Sequence, residues 1–208
     1  MAPHPVLNDL SAAWHQALPA QRDNGRYAQA RPWWLASYAL NLAFGYFFSR
    51  PDPASRVGAG VTTIATLPVA LGLHHALRIG RADVPQPERT LRRSVSLYAG
   101  WLTAATVVSA GTLLIEAGVR PGPAGAARWA SGVLPVTAAV GLAVARGLND
   151  PYYLMPFVAA FTGIAAKQRG KANGVAAVAG AGAVVTAAAF ANGLRQLPEG
   201  AAAPAGGE

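Results

Sequence analysis

The 208-residue chain contains no cysteine. A disulfide framework, a thiolate metal site and a cysteine nucleophile are therefore excluded. Charge is also scarce: Asp, Glu, Lys and Arg make up 12% of the residues, about half the share usual in a soluble domain. Neither a GxxxxGK[ST] phosphate loop, a GxSxG elbow nor an HExxH pair occurs, so the motif-borne nucleotide, esterase and zinc chemistries have no support. The adjacent pair His74-His75 would point about 100° apart on a helix, and no acidic cluster completes a shell around it. No metal site and no cofactor are expected. The N-terminus, MAPHPVLNDLSAAWHQALP, lacks the early positive charge and unbroken apolar core of a secretory signal.

What the chain does have is long apolar runs. A little over half of the residues are apolar, and the runs 57–77 and 94–115 contain no Asp, Glu, Lys or Arg. Each is long enough to cross a bilayer as a helix. Between them lies the most polar internal stretch, HHALRIGRADVPQPERTLRR at 74–93, which reads as the aqueous loop of a membrane hairpin. A soluble Ala-rich bundle would need polar stripes at helical period, and these runs have no charge on any face. The basic excess, seventeen against nine acidic residues, gathers at the ends of the apolar runs. There it sets topology and meets anionic headgroups; nothing in it resembles a nucleic-acid-binding face.

The remaining elements are numbered outward from that hairpin. Residues 1–31 form a polar arm in which 5–18 has the spacing of a short amphipathic surface helix. Pro32 is a good first helical position, and 33–49 is a short apolar run, roughly 26 Å as a helix, with aromatic residues at both ends. Asn41 in its middle requires a partner inside the bundle. Pro68 frees a carbonyl in the 57–77 run, and Thr62, Thr63 and Thr66 are positioned to compensate. Further runs follow at 129–145, 152–166 and 172–194; the second of these is only about 22 Å as a helix. In the last, Ala179, Ala183, Ala187 and Ala191 form a four-residue repeat suited to close helix packing. The tail 196–208 is low-complexity and expected to be disordered.

The fold expected is an all-α polytopic membrane bundle, with 32–195 as its transmembrane domain. It has six hydrophobic helices, or five spans plus one re-entrant short helix at 152–166. With six spans, ten Lys/Arg fall on the side of the N-terminus and seven opposite; a re-entrant 152–166 makes the split twelve to five. In both versions the positive-inside bias puts the N-terminus and the 78–93 loop in the cytoplasm.

Ionisable residues near a membrane core are the functional candidates. Topology groups His74, His75 and Asp150 as candidate catalytic acid–base residues. Arg78, Arg146, Tyr98, Tyr152 and Tyr153 stand near them as candidate binding residues. An alternative is that Arg146 and Asp150 simply pair at i,i+4. Glu116 is a further binding candidate, but it ends its helix roughly 30 Å away, across the membrane. No motif matches a known family at residue level.

Two functional readings follow. In the first the protein is a non-catalytic subunit, assembly factor or small carrier acting through helix packing, with the bilayer and other subunits or further copies of itself as partners. In the second it is a membrane-embedded enzyme acting on a lipid or isoprenoid-type substrate through its His and Asp residues. A protease site or tag placed in 78–93 is expected to be reachable only from the cytoplasmic side; access from outside would reverse the orientation.

Overall fold

The computed structural model describes residues 14–196. Among these residues the regular structure is entirely helical, with no strand. Six α-helices succeed one another: α1 Gly25–Phe48, α2 Pro53–Ala76, α3 Glu88–Glu116, α4 Pro123–Leu148, α5 Met155–Gln168 and α6 Asn173–Gln196. Single 3-10 turns precede α1 at Pro19–Gln21 and α5 at Pro151–Leu154. Each apolar run in the sequence becomes one helix of a polytopic membrane bundle. Helices α2, α3, α4 and α6 are long and apolar enough to cross a membrane. Large apolar side chains face outward around the bundle, among them Leu42 at 77%, Leu35 at 67% and Val184 at 69% exposure, a surface suited to hydrocarbon rather than water. Of the surface helix expected over 5–18, residues 14–17 are helical. Residues 5–13, and the tail beyond Gln196, lie outside the described residues.

Capping chemistry moves two boundaries away from the sequence expectation. Helix α1 starts seven residues before Pro32, because the Asn24 side chain accepts from the Arg26 backbone N–H at 3.2 Å, an ordinary N-cap. Pro32 therefore lies inside the helix, and α1 reaches 24 residues, about 36 Å. Helix α2 begins at Pro53 behind Asp52, which accepts from Ser55 N at 2.9 Å. That hydrogen bonding holds the Asp52 carboxyl below its ordinary pKa. The threonines of α2 also differ from expectation. Thr62 and Thr63 bond back to the carbonyls of Gly58 and Ala59, and Thr66 bonds to that of Thr62. None reaches Ile64, four residues before Pro68, because a hydroxyl on a helix finds the carbonyl of its own preceding turn first.

The helices form two groups of three. Helices α1, α2 and α3 pack side by side in chain order, and α6 packs on α5 and α4. A bidentate pair from Arg26 to Glu88, at 3.0 and 3.3 Å, joins α1 to α3 at one end. Arg92 completes that cluster at 3.1 Å from Glu88 and donates to the carbonyls of Ala82 and Leu77, which ties down the 77–87 loop. Tyr27 is buried beside this carboxylate; burial first, and then the Glu88 charge, raise its phenol pKa to about 12. At the opposite end Arg56 of α2 makes a bidentate pair with Glu116 of α3, at 2.7 and 3.3 Å.

The two groups meet along α3, which receives α5 and the Pro151–Leu154 turn. Gly100 is required there: a Cβ on it would lie 2.1 Å from the Tyr153 carbonyl oxygen. That contact also decides the path of the short helix. Tyr153 is level with Gly100, and the 14 residues of α5 rise about 21 Å. Helix α6 confirms the register from the other side, with Gly193 against Pro151, Phe190 against Tyr152 and Gly182 against Phe161. The 152–166 run thus packs antiparallel against α6, and α5, at 14 residues, is not among the helices long and apolar enough to cross a membrane.

The packed stripe of α6 runs through Val175, Ala179, Gly182 and Thr186, ending at Gly193. Only part of the expected alanine row coincides with it, since Ala179 is fully buried while Ala191 is exposed. A strict four-residue repeat rotates about 40° per step on a helix of 3.6 residues per turn, so the row drifts off the contact.

Gly100→Ala is expected to destabilise the bundle by about 1–3 kcal/mol through overpacking. Gly111→Ala, also in α3 but with no atom within 4 Å of a Cβ, should be neutral or stabilising by up to about 1 kcal/mol. Thermal unfolding in detergent measures both.

Candidate functional site

The sequence candidates gather around the turn between α4 and α5. Helix α4 ends at Asn149, whose left-handed conformation (φ 53°, ψ 45°) suits a C-terminal cap. Its side-chain amide crosses to the carbonyl of Gly80 at 3.0 Å. This reversal turns Asp150 away from Arg146 and into the bundle. Asp150 Oδ1 accepts from Tyr152 N at 3.0 Å, and Oδ2 accepts from His74 Nε2 at 2.9 Å. Both side chains are buried, with relative exposures of 1% for His74 and 3% for Asp150. The i,i+4 pair of Arg146 with Asp150 does not form; Asn149 has changed the chain direction between them.

The other candidates separate. His75 and Arg146 are exposed, and Arg78 is exposed in a left-handed conformation that ends the α2 turn. Tyr153 is fully buried, its hydroxyl bonded to that of Thr103. Tyr152 lies under the Arg93 guanidinium, 4.8 Å from its ring centroid. Glu116 is committed to Arg56 at the opposite end. The structure thus brings His74, Asp150, Tyr152 and Tyr153 into one seam between the two helix groups, and leaves His75, Arg78, Arg146 and Glu116 outside it.

Tyr98 points elsewhere. From the level of Gly100 toward the Arg56–Glu116 end, the two helix groups separate around a cavity of about 610 Å³, in the range of ordinary small-molecule sites. Phe44 of α1, Thr66 of α2, Trp101 of α3, Thr137 of α4 and Phe161 of α5 line it. Its wall is apolar and aromatic with a few hydroxyls, and Arg56 is its one charged lining residue. Neither His74 nor Asp150 lines it.

On the α1–α3 wall, Asn41 Nδ2 donates to the Ser37 carbonyl at 2.8 Å and to the Tyr98 hydroxyl at 2.6 Å. The Ser37 and Tyr98 hydroxyls are themselves 3.2 Å apart. The partner that Asn41 needed is Tyr98. The sequence reading missed the cavity because its helices are apolar on every face, so no polar stripe marks which side of α3 turns inward. The available signal was the spacing of Tyr98, Trp101, Ala105, Val108 and Thr112, one helical face.

The sequence model of the family described as TSPO-like protein matches residues 8–191, nearly the whole chain. This chain belongs to the TSPO-like family. No curated protein and no solved structure matches it. The match agrees with the helical membrane bundle of this TSPO-like protein and runs through both helix groups, so the cavity and the seam both lie within the matched region. Its breadth also accounts for the absence of a short motif in the sequence: the family signal is spread over about 180 positions.

Among the described residues no group of three or more His, Cys, Asp or Glu side chains is placed to hold a metal. His74→Ala should cost about 3–5 kcal/mol, because it leaves the buried Asp150 charge without its partner. Asp150→Asn should cost clearly less, since its amide oxygen can still cap Tyr152 and its NH₂ can donate to the imidazole. Equal losses in thermal unfolding would contradict this assignment of the bond.

Proposed function

We propose that this TSPO-like protein is a non-catalytic membrane-embedded binding protein that holds, and thereby carries, a lipophilic small molecule between its two helix groups. One observation carries the proposal: a roughly 610 Å³ cavity at membrane depth, apolar and aromatic with sparse hydroxyls. Such a lining supplies burial for a hydrocarbon skeleton and little that would activate a bond. The acid–base reading of His74 and Asp150 has less support. Both groups are buried outside the cavity lining, and Asp150 uses both carboxylate oxygens in holding the seam.

Cytoplasmic placement of the N-terminus and the 78–93 loop remains the reading favoured by basic-residue bias. With α5 as a span the bias is ten against seven, and with α5 re-entrant it is twelve against five. The basic end opposite, with Arg50, Arg56, Arg120, Arg128, Lys167, Arg169 and Lys171, would meet anionic headgroups.

Filling the cavity tests the function. Ala105 lines it and is half-buried, so Ala105→Trp should leave the helical content intact while weakening binding of a lipophilic fluorescent probe at least ten-fold. Unchanged probe binding by a folded Ala105→Trp protein would remove the cavity from consideration as the site.

A further inference from the structure

We infer that a small space between α1, α3 and the segment around Gln16 is a binding site for one water molecule, which completes the hydrogen bonding of Trp34 and Arg92. The inference is independent of what the large cavity binds. The packed stripe of α1 runs through Tyr27, Ala30 and Trp34, which join Leu73, Leu77 and Val95 in one core cluster. Spacings of three and four residues put the three on a single helical face, so packing carries the whole Trp34 side chain inside, its N–H included. Trp34 is 8% exposed, and its Nε1 has no hydrogen-bond partner among the described residues. Arg92, 6% exposed, borders the same space from α3. Its terminal nitrogens are taken by the carbonyls of Ala82 and Leu77 and by Glu88, while its Nε has no partner among the described residues.

Both of these groups are donors, so neither can satisfy the other. A buried donor without an acceptor is destabilising, and two beside one space mark an acceptor that they share. The space is bordered by Trp34, Arg92, Glu88, Tyr27 and Gln16 and measures about 10 Å³, the room that a single water needs. The chemistry of the lining narrows the choice of ligand. The buried Glu88 carboxylate repels an anion such as chloride, and the Arg92 guanidinium repels a cation. A neutral molecule of one heavy atom, able to accept twice and donate twice, fits both. Its oxygen accepts from Trp34 Nε1 and Arg92 Nε, and its protons have acceptors in the Glu88 carboxylate and the Gln16 side-chain carbonyl. The water thereby bridges α1 to α3 beside the Arg26–Glu88 pair. It also ties in the segment before α1, which the His15–Tyr27 hydrogen bond anchors at 2.9 Å.

The test replaces Trp34, in the full chain in detergent, by β-(3-benzothienyl)alanine, which keeps the bicyclic shape and puts sulfur where the N–H was. The water then loses one partner, so the midpoint of thermal unfolding is expected to fall by about 2–4 °C. In a dry site the same replacement removes a donor that had no partner, and the midpoint stays or rises; that result overturns the inference. Water-edited ¹H–¹⁵N solid-state NMR of the wild type in lipid nanodiscs gives a readout that needs no variant to fold. The Trp34 indole proton is expected to receive magnetisation from water at short mixing times. An indole that receives none overturns the inference. So does an indole signal that moves when chloride is exchanged for gluconate, which would make the ligand an anion.

Discussion

The hydrogen bond between His74 and Asp150 is the constraint from which the arrangement of this bundle follows. It ties the end of α2 to the turn before α5, and so fastens one three-helix group to the other at a single end. Shut away from water inside the bundle, a buried carboxylate must be satisfied from within the protein. Asp150 achieves this with two bonds, one to the neighbouring group and one to its own turn. The Thr103–Tyr153 bond and the close approach at Gly100 lie next to it. The seam is tight there, and the groups diverge toward the opposite end, where the cavity lies.

That division gives the two ends different work. Near the seam, polar and charged groups are spent on structure: Arg26, Glu88 and Arg92 join helices and hold the 77–87 loop. At the far end the Arg56–Glu116 pair joins α2 to α3, and among the described residues no ion pair links α3 to the α4–α5 wall there. The open space is thus a consequence of where the cross-links are, and its apolar lining follows from the composition of the helices that surround it. The buried His74–Asp150 pair thus lies outside the lining of the cavity, whose one charged lining residue is Arg56.

Much of the fold was legible in the sequence. Every apolar run became a helix, because a charge-free run of that length has only one way to satisfy its backbone in a bilayer. The grouping of His74 with Asp150 and Tyr153 was also visible from topology alone. The start of α1 was misplaced because Asn24 is a stronger boundary signal than Pro32, and the alanine row of α6 because 4.0 and 3.6 are different periods. The four-residue spacing of Arg146 and Asp150 suggested an ion pair, and one left-handed residue, Asn149, abolished it.

The sequence by itself determined the class of solvent, the number of helices and where the aqueous loops lie, since these depend on the hydropathy of each segment taken alone. Only the tertiary structure decided that the short 152–166 run packs antiparallel against α6, that Asp150 turns to His74, and that Tyr98 and Asn41 share a cavity wall. Those outcomes depend on which helix faces meet. In a chain whose helices are apolar on every side, the facing is set by a few close-packed glycines and polar bonds between segments far apart in the sequence.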